Sequence, residues 1–416
     1  MAAIKFSDYP LIVPTEKRMC NKFDKLIEEI KECGSVRTAS LAIKHWNKYV
    51  EELTTQMSVI YVLYTCNTTN IAYKKAQQRC DELSPIISNY SNQYQKIITK
   101  ARYRKDLEKV YGKYLFKMYD DSLKAFDEKI MGDLVEENKL VSKYDELFGS
   151  AQIKFRGEVL NTSQLGKHLQ AKDRDERREA AMAYDKWMGE HDKEIGEIYS
   201  QLVTLRDGMA KKLGFKNFVE LGYLRLGRSD YNAKKVKDYR KQIETEVVPV
   251  CQKLYKQQVK LLGIKNPQYY DYNLRYPTGN AKPAGDQKYL VNAAKSMYSE
   301  ISPETKEFFN FMIDNELLDL DARKGKAPGG YCTYFPDYKS PFIFSNFNGT
   351  EGDVNVLCHE GGHAFQAYVC SGMKIPEYMS PTLEGCECHS MSMEFFTWPY
   401  MDKFFGKDAE KYKYAH

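Results

Sequence analysis

Residues 359–363 read His-Glu-Gly-Gly-His, a spacing that can hold a metal ion and activate a water molecule beside it. On a helix, His359 and His363 lie one turn apart on one face, so both imidazoles can reach a single zinc ion at about 2.0–2.1 Å. Glu360 is rotated about a quarter turn away, where its carboxylate can take a proton from a zinc-bound water. The pentapeptide therefore predicts a zinc hydrolase with Glu360 as general base.

The two glycines inside this motif support the same interpretation. Gly361 and Gly362 are poor helix formers, and each costs roughly 1 kcal/mol relative to alanine in a helix interior. A purely structural helix would not keep both. We expect another backbone near the metal to pack closely against the helix at this point.

A catalytic zinc site needs a third protein ligand and one open position. Gln366 and Val369 stand where the metzincin motif would place a glycine and a third histidine. An acid from a following helix is the alternative, and Pro381 is predicted to begin such a helix. By spacing, four residues share one of its faces: Glu384, Glu387, Met391 and Glu394.

Other residue types nearby are rival ligands. His389 and the pair Cys386 and Cys388 lie within the same segment. They are less favoured, because cysteine-rich zinc sites are usually closed and structural. Spacing alone leaves the third ligand open.

The bulk composition excludes several other classes of protein. The 62 basic residues are interleaved with 57 acidic ones and leave a net charge of +5, so a nucleic-acid partner is not indicated. The most apolar window, residues 57–66, is about half the length needed to cross a bilayer, and no membrane association is expected. The first residues lack the pattern of a signal peptide. Ten scattered cysteines then indicate reduced thiols and a cytoplasmic protein.

The surrounding elements are predicted to be mainly α-helical. Residues 1–150 show helical apolar spacing and form an N-terminal helical domain, and residues 151–416 form a second, catalytic domain. A β-hairpin is predicted around Arg156-Gly157, and Asp173 with Glu176 is predicted to begin a helix that runs to about Trp187. Residues 329–335 and 342–347 are aromatic and β-branched and read as two strands just before the histidine-bearing helix.

Taken together, these motifs resemble the zinc oligopeptidase family that includes thimet oligopeptidase and oligoendopeptidase F. The resemblance is carried by residues 359–366 (His-Glu-Gly-Gly-His-Ala-Phe-Gln), 387–391 (Glu-Cys-His-Ser-Met), 329–333 and 341–350. It is dense from about 329 to 400 and thinner from 150 to 330. The branch most similar to this chain is that of oligoendopeptidase F and Pz-peptidase-like enzymes.

The resemblance implies a two-lobed helical metallopeptidase with a deep channel and a small sheet beside the metal helix. It implies a cytosolic endopeptidase for short oligopeptides, in which His359, His363 and Glu387 bind one zinc ion per chain and Glu360 is the general base. Glu384 and Glu394 would orient these ligands. The strand 342–347 would pair with the substrate backbone. The expected substrate contacts are Phe342, Phe344, Ser345, Asn346 and Gly349.

One departure from the family leaves other functions open. Members of the family continue beyond their zinc helices into helices with tyrosines and a histidine that steady the oxyanion, whereas this sequence stops at His416. We therefore expect a fragment or a truncated relative, with the oxyanion-stabilising residues lying beyond residue 416. The alternatives are a zinc carboxypeptidase on a similar helical scaffold and a non-catalytic protein that binds peptides or zinc.

Overall fold

The computed structural model describes residues 4–416, of which most are helical. The N-terminal part consists of helices only, as predicted. They are α1 (Glu16–Lys31), α2 (Val36–Cys66), α3 (Ile71–Lys100), α4 (Arg104–Tyr111), α5 (Lys113–Ala125) and α6 (Met131–Gly149). The apolar faces of α1 to α5 enclose one core, in which Trp46 stacks on Tyr94 with ring centroids 4.3 Å apart.

The long helix α2 belongs to two cores. Its first half packs with α1 and α3, whereas Val59, Val62 and Cys66 in its second half lie in the core that also holds the residues of the later β-sheet. The N-terminal helices are thus packed directly against the part of the chain that carries the histidine motif. A domain boundary at residue 150 stays a prediction.

The middle of the chain begins with the predicted hairpin. Strands β1 (Ile153–Phe155) and β2 (Glu158–Leu160) pair antiparallel around Arg156-Gly157, where both residues have positive φ. Asp173 accepts a hydrogen bond from the backbone N–H of Glu176 and caps the next helix, but that helix continues to Lys212 instead of ending near Trp187. The helices of this part are α7 (Thr162–Leu169), α8 (Arg174–Lys212), α9 (Phe218–Arg225), α10 (Ala233–Gln242), α11 (Val248–Leu262), α12 (Gln287–Ile301) and α13 (Pro303–Asp314).

A three-stranded sheet precedes the motif helix. Its strands are β3 (Leu318–Asp321), β4 (Tyr331–Phe335) and β5 (Ser340–Phe347). β4 and β5 form the expected antiparallel hairpin, with Thr333 opposite Phe342, and β3 pairs with β5 in parallel. The spatial order β3-β5-β4 places β5 in the centre of the sheet.

The motif helix α14 (Glu351–Cys370) packs on this sheet and against α15 (Cys386–Thr397). Two short helices, α16 (Asp402–Phe405) and α17 (Ala409–Ala415), follow. The mainly α fold with a small sheet beside the motif helix is therefore confirmed. Within residues 4–416, no helix combines the length and the apolar character that a membrane span requires.

Candidate metal centre

Three side chains converge between α14 and α15. His359 and His363 come from one face of α14, and Glu387 comes from the first turn of α15. The Nε2 atoms of the two histidines lie 3.2 Å and 3.6 Å from Oε2 of Glu387. A tetrahedral ion with bonds of about 2.0–2.1 Å separates its ligands by roughly 3.3 Å, so this set of two nitrogens and one oxygen fits a zinc ion.

The Nδ1 atom of His359 is hydrogen-bonded to a buried carboxylate. Oε1 of Glu394 lies 2.6 Å from Nδ1 of His359, the ring nitrogen that does not face Glu387. The other oxygen of Glu394 accepts a hydrogen bond from the Asn355 side chain and contacts His416. Such a carboxylate fixes the ring orientation and the tautomer that leaves Nε2 free to bind a metal.

The rival ligand His389 occupies a different place. Its Nε2 lies 3.0 Å from Nδ1 of His363, on the side of that ring away from Glu387. Among the described residues, the group that could hold a metal consists of His359, His363 and Glu387, without His389, Cys386 or Cys388. All ten cysteines are free thiols.

Both glycines of the motif lie where a side chain would collide. A Cβ on Gly362 would lie 2.7 Å from Cα of Ser390 and 2.9 Å from the carbonyl oxygen of His389, both in the backbone of α15. A Cβ on Gly361 would lie 2.1 Å from the hydroxyl oxygen of Tyr298 on α12. The expected close approach of another backbone is therefore confirmed at Gly362, where it brings α15 with Glu387 against the two histidines, whereas the neighbour of Gly361 is a side chain.

The Gly361 contact leads to a prediction for stability. Gly361→Ala is expected to lower the free energy of unfolding by about 1–3 kcal/mol, because the added methyl group overpacks a buried site. Tyr298→Phe alone is expected to be nearly neutral, since the Tyr298 hydroxyl is buried and has no hydrogen-bond partner in the described part of the chain. In the double variant the nearest remaining ring atom would be 3.2 Å from the new Cβ, and most of the loss should be recovered.

Urea unfolding of the metal-free protein measures these effects. Gly196→Ala on α8 is the matched control, because a Cβ there meets nothing within 4 Å. This control should be neutral or slightly stabilising. A Gly361→Ala protein as stable as the parent would show that the Tyr298 contact does not constrain the motif helix.

Glu360 lies beside the three candidate ligands and is nearly buried, with 8% of its surface exposed. Burial raises the pKa of its carboxyl to about 7, and the charge of Glu387 acts in the same direction against the opposing charge of His359. Among the described residues its carboxylate has no hydrogen-bond partner. An unpaired carboxylate with a pKa near neutrality can both accept and release a proton, as a general base must.

The environments of His363 and Glu387 favour the forms of these side chains that bind a metal. Burial lowers the pKa of His363, which favours the neutral ring that a metal requires. A hydrogen bond from the Ser390 hydroxyl, 2.8 Å from Oε2 of Glu387, lowers the pKa of that carboxyl and keeps it ionised. The neutral ring of His363 and the ionised carboxylate of Glu387 are therefore the forms that bind a cation.

The structure corrects the role expected for Glu384. Helix α15 begins at Cys386 instead of Pro381, so Glu384 lies in the preceding loop and not on the helix face of Glu387. Its carboxylate accepts a hydrogen bond from Nε of Arg228 at 2.7 Å and forms an ion pair with Nη2 of the same residue at 2.6 Å, and it touches neither histidine. Glu384 holds this loop to the segment before α10, and only Glu394 lies against a candidate ligand.

The structure also corrects the expected substrate strand. β5 is hydrogen-bonded on both sides, to β3 and to β4, so it has no free edge for a peptide. Its predicted contact residues serve the fold: Phe342, Phe344 and Ser345 are buried, Asn346 donates to the carbonyls of Ala327 and Gly329, and Gly349 N–H donates to Asp353.

The neighbouring strand β4 has the properties expected of β5. Within the described residues β4 pairs only with β5, which leaves its other edge unpaired. Gly330, just before β4, lies beside the candidate base: a Cβ built on it would be 3.9 Å from Oε1 of Glu360. The hairpin is predictable from the sequence, but the expected substrate strand is wrong because β3 covers the outer edge of β5 and leaves the free edge to β4.

Two protein-family profiles match the sequence of this chain. The sequence profile of the Peptidase M3 N-terminal domain matches residues 6–126, and that of Peptidase family M3 matches residues 167–415. Among curated proteins, none matches the sequence at a significant level.

Solved structures match over the whole chain. A protein assigned as oligoendopeptidase F from Bacillus anthracis str. Ames is 46% identical, with a TM-score of 0.98 over 100% of this chain and 76% of that one. PZ peptidase A, solved with an inhibitor, is 45% identical, with a TM-score of 0.98 over 99% of this chain and 73% of the other. A further protein assigned as oligoendopeptidase F has the same identity and TM-score over 100% and 73%. The resemblance expected from the motifs is thereby confirmed: the chain belongs to peptidase family M3 and is a metallo-oligopeptidase.

Proposed function

We propose that this protein is a zinc endopeptidase that hydrolyses internal bonds of short oligopeptides, with one zinc ion held by His359, His363 and Glu387. The observation that carries the proposal is the unpaired, nearly buried carboxylate of Glu360 directly beside three side chains that fit a zinc ion. A zinc ion, when bound, supplies Lewis-acid activation of a water molecule and of the peptide carbonyl.

The residues of the chain supply the proton transfers and the positioning. Glu360 takes a proton from the attacking water and passes it to the nitrogen of the leaving amine, for which a pKa of about 7 is suited. Glu394 keeps the His359 ring in the required tautomer. The free edge of β4 pairs with the backbone of the substrate and lays a peptide bond next to Glu360.

The same proposal includes a channel that admits short peptides. A cavity of about 760 Å³ lies between α3, α5, the end of α9 and residues 377–383, the segment that leads to Glu387. Its walls thus come from the N-terminal helices as well as from the metal-binding part of the chain. We propose that this cavity belongs to the two-lobed channel, that the lobes meet near residue 150, and that the enzyme acts in the cytoplasm.

A peptide blocked at both ends tests the endopeptidase assignment. We expect internal cleavage, detected by mass spectrometry of the products. Activity should be lost on treatment with a chelator and return with about one equivalent of zinc per chain. Cleavage of free-ended but not of blocked peptides would favour a zinc carboxypeptidase. Zinc binding without turnover of either peptide would favour a non-catalytic protein.

A further inference from the structure

The Nδ1 atoms of the two candidate histidine ligands have different partners. Nδ1 of His359 faces a carboxylate oxygen of Glu394, whereas Nδ1 of His363 faces a second imidazole, that of His389. The His363 and His389 rings stand nearly perpendicular, with centroids 5.0 Å apart. Metal-binding histidines ordinarily donate a hydrogen bond from their second ring nitrogen to a carboxylate, a carbonyl or water. The imidazole of His389 at this position of His363 therefore needs an explanation.

We propose that His389 is a positioning residue for His363, accepting a hydrogen bond that fixes the tautomer and the ring orientation of this ligand. The inference rests on the proposed zinc site. Nε2 of His363 must be unprotonated to bind a metal, so its proton lies on Nδ1 and is donated. Nε2 of His389 is then the acceptor, and the His389 proton lies on its own Nδ1.

The first turn of α15 provides the structural basis. Glu387, His389 and Ser390 are close neighbours there, and the Ser390 hydroxyl donates to Glu387. The carbonyl of His389 lies at the close approach to Gly362, so the backbone at this position is held against the metal helix. One helical turn thus carries the third ligand, the residue that orients this ligand, and the acceptor for His363.

Two substitutions of similar size separate the acceptor role from simple packing. His389→Met fills similar space without a strong acceptor, and His389→Gln offers an amide oxygen to Nδ1 of His363. Zinc affinity, measured by competition with a chromogenic chelator, is expected to fall by about 10- to 100-fold in His389→Met and to recover largely in His389→Gln. Met391→Leu, an exposed position on the same helix, should bind zinc like the parent.

The outcomes distinguish this inference from the proposed function. If the parent binds no zinc, the proposed function fails. If the parent binds zinc and His389→Met binds it equally tightly, or if His389→Gln falls as far as His389→Met, the positioning role of His389 is wrong. Urea unfolding of the metal-free variants shows whether they are folded, and should one of them unfold, His389→Ala against His389→Asn provides the same contrast with smaller side chains.

Discussion

Glu360→Gln is expected to lower kcat for peptide hydrolysis by about 10²- to 10⁴-fold while zinc remains bound. The amide has nearly the shape of the carboxyl group, so the nearly buried position at 8% exposure should accept it without repacking. It cannot take a proton at neutral pH, which removes the function that the raised pKa of Glu360 supports. KM should change little, because Glu360 is assigned to proton transfer and not to peptide binding.

Steady-state kinetics together with the zinc content of the purified protein test this prediction. Glu384→Gln is the matched control. Glu384 lies in the loop before α15, where its carboxylate pairs with Arg228 and contacts none of the candidate ligands. It should retain zinc and a kcat within about twofold of the parent. Glu387→Gln should instead lose zinc affinity. A Glu360→Gln protein that cleaves peptides at the parental rate would refute the assigned base.

The two proposed ligands on α14 are predictable from the sequence because their relation is local. His359 and His363 are one turn apart, and helix geometry alone brings their rings to one face. Spacing alone could not distinguish Glu387 from its neighbours as the third ligand, because the side chains that face the histidines depend on where α15 begins. The helix was expected to start at Pro381, but Glu384 lies in a turn at residues 383–385, where it pairs with Arg228, a residue remote in sequence, and α15 begins only at Cys386.

The strand order of the sheet is a second feature that depends on contacts between residues distant in sequence. The hairpin of β4 and β5 joins neighbours in sequence, and alternating aromatic residues predict it. Which of the two strands has a free edge depends on β3, a strand of four residues. β3 pairs in parallel with β5, although β4 lies between them in the sequence. A strand of four residues is too short to show a clear alternation of apolar and polar residues. The sequence pattern therefore does not indicate that β3 covers one edge of β5.

Gly362→Ala is expected to damage the metal site as well as the fold. The new methyl group would lie 2.7 Å from Cα of Ser390 and 2.9 Å from the carbonyl oxygen of His389. Both obstacles are backbone atoms, so relief requires α15 to move away from α14, and Glu387 moves with it. We expect the free energy of unfolding to fall by about 1–3 kcal/mol. The zinc affinity should fall by about tenfold or more, because the third ligand leaves its geometry.

The contrast with Gly361→Ala makes this prediction specific. At Gly361 the obstacle is one hydroxyl group, which Tyr298→Phe removes, whereas no side-chain truncation removes the backbone of Ser390. Zinc competition and urea unfolding of the metal-free protein should therefore show recovery in Gly361→Ala/Tyr298→Phe. They should show none in Gly362→Ala/Met393→Ala, because the Met393 atom nearest to the new methyl group is Cβ, which alanine retains, and the two backbone atoms stay in place. If Gly362→Ala binds zinc as the parent does, the position of Glu387 does not depend on this backbone contact.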